Sequence, residues 1–221
     1  IVVTHGTDTL EESAFFLHSV LVADKPIVFT CAMRPATSAS PDGPQNLRDA
    51  LTVASTSGAR GVVVVCAGEL HDAVSVRKTH PYRLQAFTSG EAGCLGFVEE
   101  GRVRLNRPWP ANAVLLPLAE LKLPLPRVEI VLSHAGATGR MIELLLADQE
   151  QALQGLVIAG TGNGSLHHRV ERAATDALAQ GIRVWVTTRC SEGQVLPTEK
   201  SPIPSTPLPA VKARIAMMLC Q

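Results

Sequence analysis

The residues that invite chemistry stand in short polar clusters behind apolar runs. The first cluster is His5-Gly6-Thr7-Asp8-Thr9. A hydroxyl and a carboxylate side by side, at Thr7 and Asp8, suit the capture of a polar substrate near helix N–H groups. The same residue types suit plain helix capping, and by spacing alone capping is favoured. The second cluster is Ala32-Met33-Arg34-Pro35-Ala36-Thr37-Ser38, where Arg34 offers a carboxylate-binding fork and the bland alternative is a polar loop. The third is Lys78, within the segment Asp72–His80. A lysine acts as a general base only when neutral; the alternative is a solvated side chain beside Arg77.

The fourth cluster is Gly160-Thr161-Gly162-Asn163-Gly164. It lies between a strand-like run and a helical one, which invites a dinucleotide-binding reading. Ser165 stands where that fingerprint needs its third glycine, and Gly181-Ile182-Arg183 occupies the place of the closing acidic residue. A glycine-rich turn that lets backbone approach a ligand or another subunit is the better reading. His167 and His168 are adjacent on a helical stretch and point about 100° apart, a poor metal pair. No other Cys or His spacing points to zinc. The acidic residues between 143 and 150 read as a solvated helix face and turn.

The elements that must carry these clusters alternate. Strands are expected at Ile1–Thr4, Pro26–Cys31 and Gly61–Cys66. Helices are expected at Leu10–Val22, with Leu10, Ala14, Leu17 and Leu21 on one face, and from Pro44 to about Ser55. Thr9-x-x-Glu12 reads as a capping box. Continuous apolar strands separated by helices indicate an α/β fold with a parallel sheet covered on both faces. Gly93–Val98 and Arg102–Leu105 then read as a hairpin. Residues 106–126 hold Pro108, Pro110, Pro117, Pro124 and Pro126, a semi-rigid linker candidate. Beyond it the alternation restarts: strands at Arg127–Leu132, Gly155–Ala159 and Arg183–Thr187, helices at 138–147, Leu166–Gln180 and Ala210–Leu219. Two α/β domains with parallel sheets follow: a larger one at 1–105, then the linker, then a smaller Rossmann-like one at 127–221. The first two clusters fall at C-terminal strand ends, where open α/β sheets bind ligands, and the Lys78 segment follows the four-valine strand.

Composition narrows the class. The chain has 221 residues, 46% of them apolar, and its 20 Lys plus Arg balance 20 Asp plus Glu. Zero net charge gives no support to a nucleic-acid or membrane-surface partner. No apolar run approaches the roughly 18 residues of a membrane span. The five cysteines, Cys31, Cys66, Cys94, Cys190 and Cys220, are far apart and read as buried free thiols in a reducing compartment: cytoplasmic, with periplasmic as the alternative. Ile1-Val2-Val3 opens in mid-strand without an initiator Met, so upstream sequence is expected and targeting is unknown.

In order along the chain, these stretches resemble the type II-like branch of the asparaginase/glutaminase family. The matching residues are Thr4 to Ala14, then Ala32 to Ser38 continuing through Asp42-Gly43-Pro44-Gln45-Asn46-Leu47. Val76-Arg77-Lys78-Thr79 with Ala86-Phe87, Gly160–Gly164 and Val211-Lys212-Ala213-Arg214 complete the series. The resemblance implies an amidohydrolase that converts asparagine to aspartate and ammonia through a threonine nucleophile, with glutamine as a secondary substrate and without metal or cofactor. Thr7, Lys78 and Asp8 match the family's Thr-Lys-Asp set: Lys78 relays the Thr7 proton and Asp8 receives the substrate's α-ammonium group. The carbonyl of Ala32 lies near the amide to be cleaved. The family's N-terminal nucleophile motif is absent from these residues, so the lone chain is expected to be inactive; the alternative is a non-catalytic amino-acid-binding relative. The family completes its site from a neighbouring subunit, which implies a homotetramer or homodimer. Asn163 fits that contribution, although Ser165 replaces a frequent Asn, and Glu192 or Glu199 is the candidate for the acidic contact.

Overall fold

The computed structural model describes residues 1–22, 24–198 and 201–220. The chain forms two compact units, Ile1–Ala119 and Glu120–Gln221.

In the first unit, β1 (Val2–Thr4), β2 (Ile27–Thr30) and β3 (Val62–Cys66) pair in parallel, with Val3 opposite Phe29 and Phe29 opposite Val64. Their side chains alternate between two cores, as pleated strands require. Ile27, Phe29, Cys31, Val62 and Val64 pack with Leu10 and Ala14 of α1 (Leu10–Val20). Val28, Val63 and Val65 pack with Ala50 and Val53 of α2 (Gly43–Ser55). One helix thus lies on each face. Burying each valine stabilises the fold by about 1.5–3 kcal/mol relative to leaving it exposed.

The sheet is mixed rather than wholly parallel. After β3 the chain reverses at Ala67 (φ 52°) and Gly68 (φ 78°), the backbone of a tight hairpin turn. That turn starts β4 (Glu69–Asp72), antiparallel to β3, and the sheet continues through β7 (Gly96–Glu99) and β8 (Arg102–Leu105). The expected hairpin is present, turning at Glu100 (φ 49°) and Gly101 (φ 69°). Glu-Leu-His-Asp lacks a strand's usual composition, which hid β4. Between β4 and β7 a small two-stranded ribbon forms from β5 (Arg77–Lys78) and β6 (Phe87–Thr88).

One expectation at an element end changes. Thr9 stands at the α1 N-cap, but its side chain makes no capping bond; its carbonyl accepts the amides of Glu12 and Ser13. The first part of the Pro-rich stretch packs on the first unit. Trp109 packs on the core beside α2, Pro110 lies over Gly61, and the amides of Leu115 and Leu116 donate to the Ser19 carbonyl.

In the second unit, β9 (Val128–Leu132), β10 (Gly155–Gly160) and β11 (Arg183–Thr188) form a parallel sheet with β10 in the centre. Strands taken in sequence order put both crossover helices on one face. Accordingly α3 (Arg140–Leu146) and α4 (His168–Ala179) share the core of Ile142, Leu156, Ile158, Val170 and Ala174. The last helix, α5 (Ala210–Leu219), covers the other face, with Ala213 and Met217 on Val128 and Val157. Among the described residues no helix is long and apolar enough to cross a membrane. Of the cysteines, Cys31 and Cys66 are buried, Cys94 is half-buried, and Cys190 and Cys220 are exposed; all five are free.

Asp72 ends β4 and redirects the chain towards β5. Its Oδ1 accepts the amides of Val74 and Ser75, and its Oδ2 accepts the Ser75 hydroxyl at 2.6 Å and the Arg107 guanidinium at 2.8 Å. Burial pushes its carboxyl up, but the Ser75 and Arg107 bonds outweigh that and leave it below its ordinary 3.8. A carboxyl depressed in the folded state contributes stability above its unfolded pKa, about 3.9, and loses it as pH falls through the folded value. Asp72→Asn should therefore lower unfolding free energy at pH 7 by about 2 kcal/mol. The gap from wild type should shrink in urea melts below about pH 4. A pH-independent gap would refute the ionic contribution.

Candidate active site

The chemistry-bearing residues of the first unit gather at the C-terminal ends of its parallel strands. The turn after β1 carries Thr7 and Asp8, and it is fastened below: the His5 amide donates to Thr30, and the His5 ring bonds the Ser13 hydroxyl at 2.9 Å. The loop after β2 carries Ala32 to Arg34. Lys78 comes from neither strand end but from β5, and its side chain reaches back across 71 residues of sequence to Thr7.

At the centre, Lys78 Nζ donates to Thr7 Oγ1 at 2.8 Å and to Asp8 Oδ1 at 2.7 Å. The Thr7 hydroxyl lies 3.4 Å from that same Asp8 oxygen, too long for a strong bond. Exposure divides the pair: 17% for the Lys78 side chain against 91% for Asp8. Lys78 is thus largely withdrawn from water, while Asp8 faces it. The hydrogen bond from Lys78, and then its charge, hold the Asp8 carboxyl below its ordinary 3.8. Such an arrangement can move a proton between Nζ and Oγ1 and present an ionised carboxylate to a cationic group. Thr7, Asp8 and Lys78 are together.

Several residues that hold the site have no signal in their own neighbourhood. Glu11, which reads as a favourable acid in a first helical turn, accepts the Lys78 amide at 3.0 Å and so ties β5 to α1. Asp42 stands at the N-cap of α2 yet caps nothing with its side chain. Both its oxygens turn to the Ala32–Arg34 loop instead, accepting the amides of Met33 at 2.9 Å and Arg34 at 2.8 Å. Arg34 donates to the Ser40 carbonyl, so its fork braces the loop. Cys31 and Cys66 sit just below, their sulfurs 3.7 Å apart.

Asn163 belongs to the second unit. Its amide donates to the Leu196 carbonyl at 3.1 Å and accepts the Leu196 amide at 2.7 Å, pinning the segment beyond β11. The glycine-rich turn around it closes on itself. Thr161 and Ser165 exchange both backbone bonds, at 3.0 and 2.8 Å, and a Cβ on Gly160 would fall 2.7 Å from the Gly164 backbone. Gly164 takes φ +80° against Val186 and Val195. These glycines serve close packing within the turn. Glu192 is exposed, and Glu199 lies outside the described residues. Among the described residues no group of three His, Cys, Asp or Glu side chains is arranged to hold a metal ion.

Residues 1–111 match the family model described as "Asparaginase, N-terminal", and residues 127–221 match "Glutaminase/Asparaginase C-terminal domain". The chain is 35% identical to the "L-asparaginase 2" of Bacillus subtilis, covering 99% of this chain and 60% of that protein. It is 34% identical to the "Glutaminase-asparaginase" of Acinetobacter glutaminasificans, over 99% of this chain and 69% of the relative. A crystal structure of a "Probable Cytoplasmic L-asparaginase" from Campylobacter jejuni superimposes with a TM-score of 0.91 at 33% identity, over 99% of this chain and 71% of the other. The chain spans about 60% of the length of the Bacillus relative. With both halves matched in order and the α/β fold shared, this chain belongs to the asparaginase/glutaminase family.

Proposed function

We propose that the protein hydrolyses the side-chain amide of asparagine to give aspartate and ammonia, with glutamine as a secondary substrate. The observation that carries this reading is the Lys78 amine within hydrogen-bond distance of both the Thr7 hydroxyl and the Asp8 carboxylate. Asp8, exposed and held ionised by Lys78, receives the substrate's α-ammonium group. The Lys78 amine in its neutral form takes the Thr7 proton across 2.8 Å. A threonine hydroxyl attacks: a C–O bond forms at the amide carbon, the C–N bond breaks, and a proton relayed through Thr7 and Lys78 leaves with ammonia. Water then splits the ester, giving the carboxylate and restoring the hydroxyl. The carbonyl of Ala32 accepts an N–H of the amide being cleaved.

Names of relatives support the substrate pair, one being an asparaginase and another a glutaminase-asparaginase. A dimer or tetramer belongs to the reading, with Asn163 offered to a neighbouring subunit. For that role its amide would exchange the Leu196 backbone for substrate or partner groups. Five free cysteines suit the reducing cytoplasm, with the periplasm as the alternative.

Two measurements on the protein as its gene encodes it test the site. Lys78→Met and Thr7→Val should each lower ammonia release from asparagine by about 10²–10⁴-fold with the thermal melt little changed. Wild-type turnover in either variant would falsify the relay. The second reads Asp8 directly. In wild type its carboxyl carbon should titrate below 3.8 by NMR, and in Lys78→Met the midpoint should rise, because the group that depresses it is gone. An unmoved midpoint would sever Asp8 from Lys78.

A further inference from the structure

Ala32 is exposed, and both peptide groups that flank it are held by side chains. On its N-terminal side, the amide of Asn46 donates to the Cys31 carbonyl at 3.0 Å. On its C-terminal side, Asp42 Oδ2 accepts the Met33 amide at 2.9 Å. The two holders are joined, since the same Asn46 nitrogen also donates to Asp42 Oδ2 at 3.2 Å. Asn46 is 2% exposed, and its oxygen accepts the Ala67 amide at 3.0 Å, which fixes it to the end of β3. Gly43 completes the fit, because a Cβ there would lie 3.3 Å from the Ala32 Cβ.

A trans peptide points its N–H and C=O in opposite directions. Fixing the Met33 N–H on Asp42 therefore aims the Ala32 carbonyl away from Asp42. Among the described residues that carbonyl accepts no hydrogen bond. A carboxylate on the N–H of a peptide also polarises the unit and makes its carbonyl oxygen a stronger acceptor. An Asp at an N-cap ordinarily bonds the amides of its own helix. Asp42 does not.

We propose that Asp42 is a positioning residue, which aims and polarises the Ala32 carbonyl for the N–H of the scissile carboxamide, with Asn46 locking it in place. The proposal rests on the asparagine-hydrolysis reading. Its signature is selectivity for substrates that carry an amide N–H. The β-methyl ester of aspartate has the same α-groups and acyl carbon but no N–H to donate.

Asp42→Asn keeps the side chain's shape and replaces one acceptor oxygen by a donor that repels the loop amides. Its kcat for asparagine should fall by about ten- to hundredfold, while ester turnover stays within about twofold of wild type or rises. Asp42→Ser, which keeps one acceptor, should show the same split and carries the test if Asp42→Asn fails to fold in a thermal melt. Equal losses on both substrates, or no loss on either, would overturn the positioning role. A wild-type protein that releases neither ammonia from asparagine nor methanol from the ester would overturn the hydrolase reading itself, and the proposal with it.

Discussion

A lysine has to be delivered to a sheet edge to which it does not belong. Thr7 and Asp8 reach that edge on the strand that ends beside them, but Lys78 lies on a ribbon of only two residue pairs, Arg77 with Thr88 and Lys78 with Phe87. A ribbon so short has little stability of its own. Its position is imposed by side chains of the sheet and of α1. Asp72 gathers the Val74 and Ser75 amides and so sets the chain's departure from β4. Glu11 takes the Lys78 amide. The buried Val76, Ala86 and Phe87 anchor the ribbon to the core under α1. Only with the backbone held on both sides does a flexible four-carbon side chain keep its amine against Thr7 at modest entropic cost.

The same edge explains why the pair is asymmetric. The C-terminal ends of parallel strands leave loops that open outwards, and the short loop after β1 places Asp8 at the outer rim. Lys78 approaches from the sheet side, over the packed layer that contains Val76 and Phe87. A charged substrate group can therefore reach the carboxylate from solvent without displacing the lysine from the hydroxyl. Reversed exposures would leave the hydroxyl's proton partner in competition with water.

Much of the framework was legible because it is periodic. The parallel strands and the helices between them announce themselves through apolar runs and 3.6-residue stripes, and Leu10 and Ala14 lie in the core as their spacing requires. What was hidden depends on distant partners. Nothing near Lys78 distinguishes it from a solvated lysine, since its partners are 70 and 71 residues away. It was the ordered resemblance to a family that picked it out. Local grammar also misled. Thr9 with Glu12 has the form of a capping box, yet the Thr9 hydroxyl does not cap. Asp42 has the form of a cap, yet it serves a loop eight and nine residues back. Ala67-Gly68 is a weak hairpin signal, so β4 and the mixed character of the sheet were missed.

Partner type separates the polar side chains of these loops into two kinds. Asp42 and Asn46 bond mainly to backbone amides and carbonyls, groups that cannot leave. Such bonds hold a loop in one shape and gain by being permanent. Thr7, Asp8 and Lys78 bond chiefly to one another, through a hydroxyl, a carboxylate and an amine. Those groups can pass a proton or exchange a partner for substrate without breaking the fold. A site that reacts needs the second kind standing on the first. In this chain the two meet at Lys78, whose amide is fixed by Glu11 while its amine remains free to change partners.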